Sequence, residues 1–248
     1  MTENQQLEAD SVLDTFFGEG LITEVLYIVR SGKEATVYCC RAAAGSGRDL
    51  VAAKVYQPLE KRGFRNDAVY QAGRGADWET RNRRAFANKS RHGRAVQYAT
   101  WIGAEYETLE ILHGAGADVP EPIAKAPGAI LMEYFGDEAA AAPMLVRAEM
   151  DSSQAQGCLR GIIQNVALWL ANHRVHGDLS AYNLLYVGGR AVAIDFPQAV
   201  DARMNPNARE LLRCDLENIC GHFTRAGINA DAIRIAEDLW RGYRLGQL

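Results

Sequence analysis

Between residues 21 and 56 the apolar positions fall in three short β-rich runs, 21–29, 36–41 and 50–56. Ser31-Gly32-Lys33-Glu34-Ala35 joins the first two and Ala44-Gly45-Ser46-Gly47 the next two, which predicts an antiparallel meander. The period then changes. Trp101, Ile102, Glu105, Tyr106, Leu109 and Leu112 recur at helical spacing and stop at His113-Gly114. After Pro120-Glu121-Pro122, which neither a helix nor a central strand absorbs, an apolar strand is expected over 129–136. Residues 156–174 carry a broad apolar helical face. The runs 184–187 and 191–194 flank Gly188-Gly189 and predict a hairpin. Two closing helices, 208–223 and 230–239, complete an α+β chain with strands concentrated in its first half and helices in its second.

The hairpin places chemistry. A hairpin brings its ends together, so Asn183, entering the first strand, and Asp195, leaving the second, fall side by side as two oxygen ligands suited to magnesium. Asp178 lies five residues before Asn183 on a short loop, within reach of an attacking hydroxyl as general base or positioner. A capped turn is the alternative for any one of these fragments, but HxDxxxxN followed by an apolar strand ending in Asp favours a phosphoryl-transfer site. His176 in this stretch is expected to brace the loop, and His173 to sit at a helix end.

Lys54 interrupts an apolar strand, and a buried ammonium must be paired. The alternative is an edge lysine with its head in water. Glu105, on or beside the apolar stripe of its helix, is the candidate partner, and the pair would hold the lysine against phosphates. The Ser31-Gly32-Lys33 turn lets backbone N–H groups approach phosphate oxygens, though an ordinary hairpin turn is the commoner outcome. Arg213 and Asp215 either pair with the loop around Asp178 or lie on a solvated helix face, and the solvated face is preferred.

The 248 residues, 48% hydrophobic and 23% charged, suffice for a real core. The net charge of -4 conceals an asymmetry, because residues 57–95 hold ten Lys and Arg against four Asp and Glu. Basic residues interleaved there with Tyr70, Trp78 and Phe86 suit RNA or an acidic partner, or a solvated insertion. The five Cys, 39, 40, 158, 214 and 220, include no CxxC pair, which supports neither a disulfide framework nor a zinc site. Neither a secretory leader nor an apolar run of membrane-spanning length is present, so no membrane is expected and a reducing cytoplasm fits.

In combination SGKEATVY, VAAKVY, WIGAEYETLEIL, PEPIA, LMEYFG, HGDLSAYNLLY and AIDFPQAV resemble the RIO family of atypical serine/threonine protein kinases, in the branch lacking an N-terminal winged helix. The resemblance implies a two-lobed protein-kinase-like fold with a reduced activation segment: an arm over 1–20, an N-lobe over 21–135 with a flexible basic insertion at about 57–95, and a C-lobe over 136–248. It implies ATP and Mg2+ as cofactors, with Mn2+ as an alternative ion. Ser31, Gly32, Lys33 and Lys54 would meet phosphates, Glu105 would pair with Lys54, and Met132, Glu133 and Phe135 would surround adenine. Asp178 would be the catalytic Asp, with Asn183 and Asp195 on the metal. The substrate would be a protein, including the chain itself, and family roles in small-subunit ribosome maturation point to a ribosomal particle or RNA as partner. An ATPase working through an aspartyl-phosphate at Asp195, or an aminoglycoside- or choline-type phosphotransferase, remains open. HGD replaces the HAD of many members, and the insertion is Gly-rich.

Overall fold

A computed structural model describes residues 12–57 and 91–248, with side chains from residue 99 onward in the second stretch. The chain divides into two compact units. Most of the basic stretch expected at 57–95 lies outside the described residues, although 91–95 are already helical.

The first unit is built on one five-stranded antiparallel sheet. Its strands are β1 (Ile22–Ser31), β2 (Ala35–Ala42), β3 (Leu50–Tyr56), β4 (Pro122–Ala126) and β5 (Ala129–Glu133). Their order is β1-β2-β3-β5-β4. The three runs of the expected meander are all present, and the sheet explains the proline break: Pro122 opens an edge strand, a position that asks little of a missing N–H. Strand β4 was not expected. Its sequence, PIAKA, is short, and β5 ends at Glu133 rather than Gly136.

Alternation sorts the sheet into two faces. Tyr38, Cys40, Val51, Ala53, Val55, Ala129 and Leu131 point to one side and form a core with Leu13 and Phe16. Those last two belong to a helical stretch over 12–18, so this part of the expected arm is a helix closing the sheet. Phe16 is fully buried, and burying such a side chain stabilises by about 1.5–3 kcal/mol. The opposite face carries Lys54, with Ala52 and Tyr56 beside it on the same strand. Helix α1 (Arg91–Gly114) contributes Trp101, Ile102, Glu105 and Tyr106 to the first unit. Trp101 meets the Tyr56 ring edge-on at 5.3 Å between centroids.

The second unit takes the rest of α1 and residues 142–248. Helix α2 (Ser152–Ala171) starts on a capping box, in which the Asp151 carboxylate accepts from Gln154 N and the Gln154 side chain accepts from Asp151 N. Its apolar face, with Leu159, Ile162, Val166, Trp169 and Leu170, is buried. Two strand pairs follow, β6 (Arg174–Val175) with β9 (Val200–Asp201) and β7 (Leu184–Val187) with β8 (Arg190–Ala193). Helices α3 (Ala208–Arg225) and α4 (Ala232–Arg244) close the unit. The β7–β8 hairpin is as expected. Val187 pairs with Arg190, and Gly188 and Gly189 both take positive φ, 56° and 87°, as a two-residue type I′ turn requires.

Candidate active site

In the second unit the chain leaves α2 through His173, held at φ 62° where a glycine is usual, with its Nδ1 2.9 Å from the Tyr243 hydroxyl. It then enters a loop carrying Asp178 and returns through β7. The expected neighbours are neighbours. Asn183 Nδ2 donates to the Asp178 carbonyl at 2.8 Å, and Ile194 N donates to the Asn183 carbonyl at 2.9 Å, which sets Asn183 beside the residue preceding Asp195. Asp195 itself has φ 70°, a left-handed conformation costly for a residue with a side chain and found where surrounding structure imposes it.

The same proximity is felt as charge. Partial burial first, and the Asp195 carboxylate second, push the Asp178 carboxyl above its ordinary value, against a hydrogen bond from Asn183. Its side chain nevertheless reaches solvent. The set consists of hard oxygen donors, two carboxylates and an amide, without a sulfur or imidazole in it. Among the described residues no group of three or more His, Cys, Asp or Glu is arranged for a metal. A site of this composition fits magnesium, which takes one or two carboxylates and fills its octahedron with substrate oxygens and water.

His176 braces the loop as expected. It is 1% exposed, and its Nδ1 accepts from Asp178 N at 3.4 Å while Nε2 faces the Ile194 carbonyl at 3.3 Å, a pattern that requires the neutral Nε2–H form. Phe196 packs on the His176 ring at 4.6 Å and on Trp169 at 5.7 Å, so the residue after Asp195 is locked by α2.

Asp215 corrects the sequence expectation. It does not lie on a solvated face: it is 2% exposed, and its two carboxylate oxygens accept from Gly177 N at 2.9 Å and Leu179 N at 2.8 Å, on either side of Asp178. Burial pushes its carboxyl up to about 7, against the lowering effect of those two N–H groups. Arg213, by contrast, pairs with Glu210 and Glu217 on the half-exposed side of α3, as expected.

In the first unit Lys54 and Glu105 are both buried, and Lys54 Nζ donates to Glu105 Oε1 at 2.6 Å. The Tyr56 hydroxyl, on the same face of β3, donates to the other carboxylate oxygen. A buried ammonium is thus matched by a carboxylate whose second oxygen is also satisfied. Sequence reasoning reached the ion pair but not Tyr56. Ser31 ends β1, and Gly32 and Lys33 lie in its connection to β2, where Gly32 N donates to the Ala35 carbonyl and the Ser31 and Thr36 hydroxyls lie 3.1 Å apart. Met132 is nearly buried and pairs with Ala52 across β5 and β3. Glu133 N donates to the Glu121 carbonyl, and Glu133 Oε2 accepts from Glu121 N. Phe135 follows the end of β5.

An antiparallel five-stranded sheet joined to a mainly helical second unit, with these residues in this order, defines a protein-kinase-like α+β fold. The solved Rio2 kinase–ADP/Mg2+–phosphoaspartate complex of Chaetomium thermophilum shares that fold, with a TM-score of 0.65 and 19% identity over 91% of this chain and 64% of that one. More particularly, the sequence matches the RIO domain family over residues 36–236, and the chain belongs to that family. A Haloferax volcanii RIO-type serine/threonine-protein kinase Rio1 is 33% identical over 237 residues, 94% of this chain and 71% of the relative. The human serine/threonine-protein kinase RIO1 is 31% identical over 90% of this chain, which spans 37% of that longer protein.

Proposed function

We propose that the chain is an ATP- and magnesium-dependent serine/threonine protein kinase of the RIO type that also phosphorylates itself. The observation that carries the reading is the Asp178–Asn183–Asp195 arrangement, a candidate base with a raised pKa beside two oxygen ligands suited to a hard cation. Asp178 would accept or orient the attacking serine hydroxyl, with the loop backbone fixed by Asp215 and His176. Lys54, held by Glu105, would contact the phosphates, and the Ser31-Gly32-Lys33 turn would cover them. Met132, Glu133 and Phe135 would surround the base. A divalent ion on Asn183 and Asp195 would neutralise charge on the phosphoryl oxygens; Mg2+ suits the donor set, and Mn2+ is the alternative.

The test is incubation of purified protein with γ-labelled ATP and Mg2+, followed by chemical assignment of the label. Acid-stable label on serine, lost in Asp178→Ala and Asp195→Ala, is the expected result. Retained transfer in the double variant refutes the assignment. The second reading, an ATPase passing through an aspartyl-phosphate at Asp195, is favoured by the phosphoaspartate trapped with ADP and Mg2+ in the Chaetomium thermophilum Rio2 structure. It predicts hydroxylamine-labile label instead. Turnover stimulated by an aminoglycoside or choline but not by protein would decide for a small-molecule phosphotransferase.

The Lys- and Arg-rich stretch over 57–95 is the segment we assign to a ribosomal particle or RNA, from its charge and aromatic content. Salt-dependent RNA binding lost on deleting it is the corresponding test. The location we propose is the cytoplasm; among the described residues no helix is long and apolar enough to cross a membrane.

A further inference from the structure

Residues abreast in a sheet share a face, and one row of the first unit reads Tyr27, Cys39, Ala52, Met132 from β1 to β5. Lys54 lies two positions along β3 from Ala52, on the same face, a step of about 7 Å. If Lys54 meets phosphates, as proposed above, the base of the nucleotide falls on or near this row.

The row is roofed. Tyr134, two residues beyond Met132, extends its hydroxyl to within 2.6 Å of the Tyr27 hydroxyl. Both hydroxyls also face the Asp137 carbonyl, at 3.2 Å from Tyr27 and 3.4 Å from Tyr134. Strands β1 and β5 are three strand spacings apart, about 14 Å, and two tyrosines meeting tip to tip cover such a distance. Cys39 stands next to Tyr27 in the row, completely buried, with its thiol against both hydroxyls. The segment supplying Tyr134 is itself fixed. The Asp137 carboxylate accepts from Ala139 N and Ala140 N, and Arg41 on β2 ties Glu24 of β1 to Glu138 at 3.3 and 2.9 Å.

We propose that Tyr27 and Tyr134 form a strap across the base end of the nucleotide face, which must part for a purine nucleotide to enter or leave and so governs the release of ADP. This rests on the reading of Lys54 as phosphate partner. The hydroxyl contact is made within the protein, so opening it is a cost of release that a phenylalanine at either position removes. The rings and their packing remain in place. Tyr134→Phe leaves the Tyr27 hydroxyl on the Asp137 carbonyl, whereas Tyr27→Phe removes every hydroxyl contact that β1 makes to this segment, so losing both hydroxyls changes little beyond losing that of Tyr27.

The test uses the full chain and fluorescent methylanthraniloyl-ADP with Mg2+, chased by excess ATP in a stopped-flow instrument. Tyr134→Phe is expected to release the nucleotide about fivefold faster, equivalent to ~1 kcal/mol and to one neutral hydrogen bond, and Tyr27→Phe at least as fast. The double variant should match Tyr27→Phe. Cys39 gives a second readout independent of turnover. Its alkylation by N-ethylmaleimide, followed by peptide mass, should be slow in the wild type, faster in both single variants, and slowed by ADP and Mg2+ in all. Nucleotide binding with release unchanged within twofold in both single variants overturns the strap. No nucleotide binding by the wild type, and no protection of Cys39 by ADP, overturns the Lys54 reading and the strap with it.

Discussion

Replacing Asp215 by alanine isolates what holds the loop around Asp178. The side chain is 2% exposed, and its only hydrogen-bond partners among those described are Gly177 N and Leu179 N, at 2.9 and 2.8 Å. Alanine leaves both donors buried without a partner, at about 1–3 kcal/mol each, so the expected loss is roughly 2–6 kcal/mol. That is a large part of the stability of an ordinary domain, about 5–15 kcal/mol. Asp215→Asn keeps the shape and one acceptor but turns an NH2 toward the other donor, and should lose about half as much. Equilibrium unfolding in urea measures both, and a kinase assay on the folded fraction reports the displaced Asp178. A loss below about 1 kcal/mol in Asp215→Ala with phosphoryl transfer unchanged would refute the reasoning.

The same residue fixes the sign of a pH effect. Because its folded pKa is raised to about 7 from an ordinary ~3.9, its contribution is fully present below the ordinary value and is lost as pH rises through about 7. The gap in stability between wild type and Asp215→Asn should therefore be wider at pH 5 than at pH 8. A gap that instead widens toward pH 8 contradicts it.

Lys54→Met takes the ammonium away from the buried Glu105 carboxylate and should destabilise the protein by about 3–5 kcal/mol, while Lys54→Met with Glu105→Leu recovers much of that loss in the same unfolding measurement but no activity. If the double variant is no more stable than the single, the pair is not the source of the penalty. Gly136→Ala should cost about 1–3 kcal/mol or more, because φ is 145° and a Cβ there would stand 2.4 Å from the Ala140 carbonyl oxygen and 2.7 Å from Ala141 Cα. A melting temperature equal to wild type would show that this turn yields easily.

Much of the site was legible because it rests on local period and on residues out of place. The β7–β8 hairpin was read from two apolar runs and a glycine pair, and the Lys54–Glu105 contact from two charges at apolar positions. The same signal is present at Asp215, one helical repeat from the buried Leu211 and Ile219, yet it offers the loop around Asp178 only as an alternative, with no side chain there to pair with. Its partners are backbone N–H groups, which every residue but proline carries, so composition cannot point to them. Strand β4 escaped because five residues opened by a proline resemble a loop until a neighbouring strand supplies the ladder. Tyr134 looked like part of an apolar strand, and nothing local says that its hydroxyl meets a residue 107 positions away.

The two-glycine turn at residues 188 and 189 takes no part in any chemistry, yet it counts out the chain between an amide and a carboxylate. Losing or gaining one residue there would slide one strand against the other and rotate Asp195 to the far side of its ribbon. Natural variation in this segment should therefore exchange side chains freely at exposed Arg190 while leaving the number of residues between Asn183 and Asp195 untouched.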